Sequence, residues 1–506
     1  KIDTPLPQEQ APALPEIDIA LPKAQNIELG AAAYEVPVPA QGPSGAPITA
    51  AVKPTSNFFS DGLIGAGSMN HIIGDVTLYK LGANPRFNIE FSHERIDGYF
   101  DPSQPLYFWP AGAGFFNRTD ALVGSLTTAT GNGFSLDTHD FYRETENGLQ
   151  GLDASKLYSS VTHRFISGDL NATYSHLAPV TFGAGVLATS GDMSLASPSP
   201  SSAINAQELS VKPTLSIGLN LAKVTGDITG FYELRGNSGR TQYQQQAAGG
   251  SLALNAELPL ALTFSGSVGA HWDDTVGWAV PFSLELDGVY KDLLTYRLYG
   301  GYKVSPQDYF DLWTKYPYLN HDQVLSSSLD WYGGVATEWR FGKNLALQGG
   351  LDFSNVTNAI LPTTLAGDGT GLFEFTQGAA TTLSPSAAFS WDPSGPFSMK
   401  IGWKGNFLKP VPFTPLSGFN LDAQYDDSTG RFGGALTGVM DLYSPSEPAT
   451  LMPNLGLSGY FRVSDGVTFH LDMNDLLSPL LSTGRKSWNT YTDPGFRVTV
   501  TTQISL

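Results

Sequence analysis

The sequence lacks cysteine, long apolar runs and an excess of basic residues. Its 506 residues include no cysteine, which excludes disulfide scaffolds, zinc–thiolate sites and cysteine nucleophiles. No stretch reaches the roughly 18 consecutive apolar residues of a membrane-spanning helix. Lysine and arginine number 28 against 47 aspartates and glutamates. The resulting net charge of -19 argues against nucleic-acid binding, which depends on neutralising phosphates.

Signatures of catalysis and of metal binding are also missing from the sequence. It contains no G-x-S-x-G elbow, P-loop or dinucleotide fingerprint, so we do not expect an enzyme. The eight histidines are scattered singly, without the spacing of metal ligands. We therefore expect no metal site and no cofactor.

The composition instead favours a β-rich protein, with 55 glycines, 12% aromatic residues and 15% charged residues. The mean hydropathy of -0.10 is typical of a soluble protein. A membrane barrel gives a similar value, because its strands alternate between lipid-facing and water-facing side chains. Hydropathy alone therefore leaves both classes open.

The last eleven residues form a strand with two distinct faces. One face carries Phe496, Val498, Val500, Thr502, Ile504 and Leu506, and the other carries Arg497, Thr499, Thr501, Gln503 and Ser505. This length suits a tilted crossing of a bilayer, whereas strands of soluble proteins average about half of it. A long edge strand of a soluble β-sandwich is the alternative for this segment taken alone.

Similar alternation recurs from residue 58 to the end, and aromatic residues often stand at the ends of the apolar faces, as in membrane barrels. The sequence therefore predicts an all-β fold, a large antiparallel transmembrane β-barrel of about 22 strands over 58–506. We expect hairpin turns at 165–169, 340–344 and 426–430. Longer connections at 99–116, 304–326 and 357–371 are expected on the opposite rim.

Charged residues on the polar faces of these strands are expected to point into the lumen. They are Glu90, Arg297, Lys303, Arg340, Asp352, Lys400, Lys404, Asp472 and Arg497. Their signs are mixed, and a wetted lumen accounts for them without a specific substrate.

Residues 1–57 differ in kind, with prolines throughout and few aromatic residues. Such a segment buries too little apolar area to fold alone, so we expect an extended tail. Within it Ile17, Ile19 and Leu21 alternate like a short strand between prolines, which predicts that the tail adds to the sheet edge of a partner protein. A passive linker and a tail folded back into the barrel are the alternatives.

Two stretches resemble the barrel of TonB-dependent receptors. One is Gly65-Ala-Gly-Ser-Met-Asn70 with the later Phe91-Ser-His-Glu-Arg-Ile-Asp-Gly-Tyr99, similar to the first strands after the plug. The other is Val467-Thr-Phe-His-Leu-Asp-Met-Asn-Asp-Leu476 with Tyr491-Thr-Asp-Pro-Gly-Phe-Arg497, similar to the last hairpin. The resemblance implies an outer-membrane barrel with its tail in the periplasm. It departs from the family in Leu506, where a phenylalanine is common, and in the 57 residues before the barrel, which we expect to leave no room for a plug.

For function, the sequence predicts a channel or conduit in contact with the lipid bilayer. A barrel this wide encloses a lumen that needs filling, by inward-folded loops, by the tail or by a partner protein. The alternative is a structural anchor that recruits a periplasmic machine through residues 1–57.

Overall fold

The structure, a computed structural model, describes residues 58–80, 84–98, 114–152, 158–175, 179–195, 205–221, 223–239, 242–291, 293–320, 324–365, 370–393, 395–443, 451–478, 486–487 and 491–505. Most of these residues lie in β-strands, as alternation of apolar and polar side chains requires. The triplet Ile17, Ile19 and Leu21 lies outside the described residues.

The elements follow one another along the chain. The first eleven strands are β1 Phe58–Gly67, β2 Ile72–Lys80, β3 Arg86–Asp97, β4 Phe116–Ala129, β5 Phe134–Gly148, β6 Tyr158–Ser175, β7 Pro179–Leu195, β8 Asn205–Leu221, β9 Val224–Ser238, β10 Tyr243–Leu258 and β11 Leu262–Asp273. Next come β12 Gly277–Ala279, β13 Phe282–Tyr290, β14 Leu294–Ser305, the helix α1 Tyr309–Lys315, β15 Ser328–Arg340, β16 Leu345–Leu365, β17 Phe373–Trp391, β18 Phe397–Gly405 and β19 Phe407–Lys409. The last are β20 Ser417–Asp426, β21 Phe432–Leu442, β22 Leu451–Ser464, β23 Val467–Asn474, β24 Lys486–Ser487, β25 Tyr491–Thr492 and β26 Arg497–Ser505.

One antiparallel sheet contains 24 of these strands. The short β12 pairs with β11 beyond the end of β13, and β19 pairs with β17 beyond the end of β18, so each prolongs its neighbour. Strand β1 pairs with β2 on one side and with β26 on the other, which closes the sheet. The result is a closed antiparallel barrel of 22 strands, and the predicted fold and strand number are confirmed.

The two ends of the barrel differ in the length of their connections. Short turns such as 341–344 and 427–431 lie at one end, and longer connections such as 306–327 lie at the other, which we call the mouth. The turn predicted at 165–169 is wrong, because these residues lie within β6 and pair with β5 and β7. The Ser-Gly-Asp sequence has turn chemistry, but pairing on both sides keeps it extended.

The connection predicted at 357–371 is also partly wrong, because β16 continues to Leu365. Its pairing with β17 shifts register between Val356 and Ala359. Asn358, inside this bulge, has a φ of 59°, a conformation that asparagine tolerates better than most residues. The bulge lies at the mouth and contacts the loop described below.

The outer surface of the barrel is apolar and the inner surface is polar. On β26, Val500 is 51% exposed on the outside, whereas the adjacent Thr501 is 4% exposed on the inside. Exposed aromatic side chains gather near the short-turn end, among them Phe58, Tyr174, Tyr290, Trp339 and Phe432. An apolar band bordered by aromatic rings is what a bilayer requires of a barrel. No helix among the described residues has the length and apolarity of a membrane span.

Candidate functional site

The connection between β14 and β15 folds into the mouth of the barrel. We call residues 306–327 the cap loop; the structure describes 306–320 and 324–327 of it. Its helix α1 begins after Asp308, whose carboxylate accepts a hydrogen bond from the Asp311 backbone N–H at 2.7 Å. An aspartate at this position satisfies a backbone donor that the first helical turn leaves free.

Trp313 is the central contact of α1 with the inner wall. Its indole is 2% exposed and stacks on the imidazole of His163 on β6, with ring centroids 4.6 Å apart. Gly191 on β7 leaves room for this ring, because a Cβ there would lie 2.7 Å from Trp313 Cη2. Tyr309 packs against the other side of the cluster, with its ring centroid 4.7 Å from that of Trp313.

Charged groups of β8 and β9 hold the start of the cap loop. Glu208 accepts a hydrogen bond from the Tyr309 backbone N–H at 3.1 Å. Arg235 donates one hydrogen bond to the Gln307 carbonyl and another to Glu233, both at 2.5 Å. Arg235 and Glu233 are buried and form an ion pair, which offsets part of the cost of their desolvation.

Arg143 on β5 clamps the middle of α1. Its guanidinium donates a hydrogen bond to the Thr314 hydroxyl at 2.6 Å. It also lies over the rings of Phe141, Phe165 and Phe310, at 4.8 to 5.7 Å from their centroids. A cation over several aromatic faces combines apolar packing with electrostatic attraction.

The end of the cap loop is held from both sides of the mouth. Gln377 on β17 accepts from the Ser326 backbone N–H at 3.0 Å and donates to the Ser326 carbonyl at 2.9 Å. At the β16 bulge, Asn358 donates to the Ser327 carbonyl at 3.0 Å and accepts from Gln307 at 2.9 Å. Gln245 on β10 donates to the Leu325 carbonyl at 2.8 Å. The cap loop therefore spans the mouth between β5–β10 and β16–β17.

A second long connection, between β23 and β26, packs on the cap loop. Tyr491 stacks on Tyr318 with ring centroids 3.5 Å apart and planes 7° from parallel. Its hydroxyl donates to the Gly371 carbonyl. Gln150, just after β5, exchanges two hydrogen bonds with the backbone of Thr492, at 2.7 and 2.8 Å. The buried aromatic cluster joins these connections into one cap over the mouth.

Two carboxyl groups at the start of α1, those of Asp308 and Asp311, have raised pKa values. Burial raises the pKa of Asp308. Partial desolvation in the mouth and then the negative charge of Asp308 raise the pKa of Asp311 to about 7, although the Asp311 side chain keeps contact with water. Lys315 and Arg235 oppose this shift. Asp311 therefore changes charge near neutral pH while it is docked.

The nine charged residues predicted to face the lumen lie, by strand register, on the face opposite the exposed apolar row. They are Glu90, Arg297, Lys303, Arg340, Asp352, Lys400, Lys404, Asp472 and Arg497. Three form ion pairs across that face: Arg297 with Asp287 at 2.7 Å, Lys303 with Asp330 at 3.4 Å, and Arg340 with Glu338 at 2.5 Å. Their contact with a water-filled lumen stays a prediction.

The remaining residues of this set are spread around the barrel. Lys400 lies opposite Asp422, and Asp352 accepts a hydrogen bond from Tyr299. Arg497 is 1% exposed, so packed protein surrounds it. The set therefore does not converge on one site. Among the described residues, no group of three or more His, Asp or Glu side chains is arranged to hold a metal ion.

The cap residues were not among the sequence-predicted sites. Their pairing across the mouth depends on strand register, which a single sequence does not fix. The usable signal was the cluster of aromatic residues in the long connection, namely Tyr309, Phe310, Trp313, Tyr316 and Tyr318. Aromatic side chains in a loop are unusual unless they are buried.

No model of a known protein family matches the chain, and no curated protein matches its sequence. Solved structures do resemble it. The FrpB iron transporter of Neisseria meningitidis superposes with a TM-score of 0.69 at 10% identity, over 89% of this chain and 82% of that chain. The chain has the same barrel fold as this transporter.

Two further neighbours have the same barrel. The ferric enterobactin receptor PfeA of Pseudomonas aeruginosa gives a TM-score of 0.68 at 10% identity, over 89% of this chain and 82% of that chain. The copper transporter OprC gives 0.68 at 10% identity, over 89% and 81%. These neighbours are named as transporters or receptors. Identity this low establishes the fold and nothing finer.

Proposed function

We propose that the protein is an outer-membrane conduit whose mouth is closed by its own cap loop. The observation that carries the proposal is the docking of α1 on the inner wall, with Trp313 stacked on His163 at 4.6 Å. A barrel of 22 strands encloses a wide lumen, and an open lumen of that size is costly to a cell. The sequence predicts a lumen filled by inward-folded loops, by the tail or by a partner protein. The contacts among the described residues support the inward-folded loop.

The transporter names of the structural neighbours agree with passage of a solute through the barrel. Their cargo belongs to those proteins, and we do not assign iron or copper to this chain. The absence of a plug, the periplasmic location of the tail and a partner protein stay predictions, as does the alternative role of a recruiting anchor.

Conductance in planar bilayers tests the proposal. Trp313→Ala removes the ring that fills the site between Gly191 and His163, and truncating a buried tryptophan costs about 3–5 kcal/mol. We expect the wild type to conduct rarely and the variant to open often. Val324→Ala, an exposed position in the same loop, is the control and should behave as the wild type. Barrels that assemble but never conduct, with or without Trp313, would contradict a conduit.

A further inference from the structure

The inner wall carries a set of carboxylates between the cap and the short-turn end. We call Asp75, Glu90, Asp137, Asp169 and Asp227, on β2, β3, β5, β6 and β9, the acidic crescent. Strand alternation turns them inward, because their neighbours Val76, Ile89, Leu170 and Ile228 are exposed on the outside. Four of them, Glu90, Asp137, Asp169 and Asp227, lie nearer the short-turn end of their strands, whereas Asp75 lies nearer the mouth end of β2.

Glycines face the carboxylates and amides of this wall. A Cβ at Gly185 would lie 2.6 Å from Asp169 Oδ1, and one at Gly183 would lie 2.6 Å from Asn171 Oδ1. Because Gly183 and Gly185 on β7 have no side chains, the oxygens of Asn171 and Asp169 occupy the space beside them. The lumen surface here presents oxygen atoms rather than alkyl groups.

The acidic crescent is not neutralised by neighbouring cations. Among the described residues, none of its five carboxylates has a Lys or Arg nitrogen within 4.0 Å, the distance limit of an ion pair. Two basic groups of the same wall are engaged elsewhere: Arg235 pairs with Glu233 at 2.5 Å, and Lys212 lies 3.9 Å from Glu233.

The wall formed by β14 and β15 shows the reverse arrangement. Its inward cations Arg297, Lys303 and Arg340 all have carboxylate partners within 3.5 Å. Lys400 and Lys404 on β18 add positive charge farther round, and Lys400 lies opposite Asp422. Carboxylates without an ion pair among the described residues are thus gathered in the acidic crescent, with Asp352 on β16 and Asp472 on β23 as further members of the inner face.

Carboxylates on a low-dielectric wall raise the local concentration of cations, and acidic linings select cations in channels. From the position and the lack of ion pairing of the acidic crescent, we infer that the lumen favours cations and cationic solutes over anions of similar size. This inference rests on the proposed conduit function. It assigns the selectivity to Asp137, Asp169 and Asp227. Among the described residues, none of these three carboxylates forms a hydrogen bond or an ion pair with the cap loop.

The reversal potential in a potassium chloride gradient tests the inference. It is measured on Trp313→Ala, so that the cap does not limit conductance, and assembly is checked by heat-modifiable migration on gels. We expect potassium to permeate several-fold better than chloride. Adding Asp137→Asn, Asp169→Asn and Asp227→Asn should bring the ratio close to one without loss of conductance.

The matched control removes three carboxylates from the short turns instead, at Asp392, Asp427 and Asp465, and should keep the preference for potassium. A conducting barrel that prefers chloride, or a preference that survives loss of the crescent carboxylates, overturns the inference and leaves the conduit standing. Assembled barrels without any conductance overturn the conduit itself, and the inference with it.

Discussion

The indole of Trp313 lies nearly parallel to the imidazole of His163, with 25° between the planes and 4.6 Å between the centroids. This contact joins the loop between β14 and β15 to β6, a strand that pairs with neither of them. A connection that could have remained on the rim thus becomes part of the barrel interior. Under the proposed conduit function, passage through the mouth depends on how firmly the loop is docked.

Gly191→Val should loosen the cap without touching the cap loop itself. A Cβ at this position meets Trp313 Cη2 at 2.7 Å, so the indole has to move. We expect normal assembly and more frequent opening in planar bilayers. Gly236→Val on β9 is the control, since a Cβ there meets nothing within 4 Å. Equal conductance of the two variants would mean that the ring contact does not control opening.

A disulfide between cap loop and wall should lock the mouth. Leu319 and Phe373 are paired by a parallel β-bridge, which puts their Cα atoms about 4.8 Å apart, within the range that a disulfide spans. The chain has no cysteine of its own, so Leu319→Cys with Phe373→Cys forms one defined bond. We expect oxidation to suppress conductance and a reductant to restore it in the same sample. If the oxidised and reduced forms of this variant conduct equally, the cap stays docked during passage.

Much of the barrel could be predicted from the sequence, because strand alternation is a local property. The closing strand has two faces because successive side chains of a strand point to opposite sides, and Val500 and Ile504 are accordingly exposed on the outside. The turn predicted at 165–169 failed because local turn chemistry cannot show that β5 and β7 pair on both sides of it.

The site was harder to predict, because it depends on contacts between distant strands. Nothing in the sequence near His163 indicates a partner 150 residues later, since the distance in space follows from closure of the sheet. The inner face of β26 was expected to be wet, yet Thr499 and Thr501 are 2% and 4% exposed. Gly65 on β1 and His71, just before β2, pack there, which only register reveals.

Arginine substitutions should separate the two faces of β6. Leu170 is exposed on the outer surface, and a charge at the bilayer midplane of a barrel costs about 2–4 kcal/mol. Asn171, the next residue, is exposed on the inner surface. We expect Leu170→Arg to reduce the heat-modifiable folded band and Asn171→Arg to leave it unchanged. Equal loss at both positions would contradict the assignment of the faces.

Opening should depend on pH through Asp311. Its pKa is raised to about 7 in the docked cap, so docking favours the protonated carboxyl. The stabilisation is complete below the ordinary aspartate pKa and is lost as pH rises towards 7. We therefore expect more frequent opening at pH 8 than at pH 5. Asp311→Asn should weaken this profile and leave the contribution of Asp308, whereas Asp392→Asn in a short turn should not change it.

The tail gives the last prediction, since residues 1–57 carry the strand-like triplet Ile17, Ile19 and Leu21 between prolines. An added strand gains backbone hydrogen bonds, and prolines reduce the entropy lost on docking. We expect deletion of 1–57 to release a co-purifying protein while conductance stays unchanged, with serine at the three triplet positions doing the same. Raised conductance after deletion would instead identify the tail as a short plug beside the cap. If neither partner retention nor conductance changes, the segment is a linker, and the recruiting role fails with the docking model.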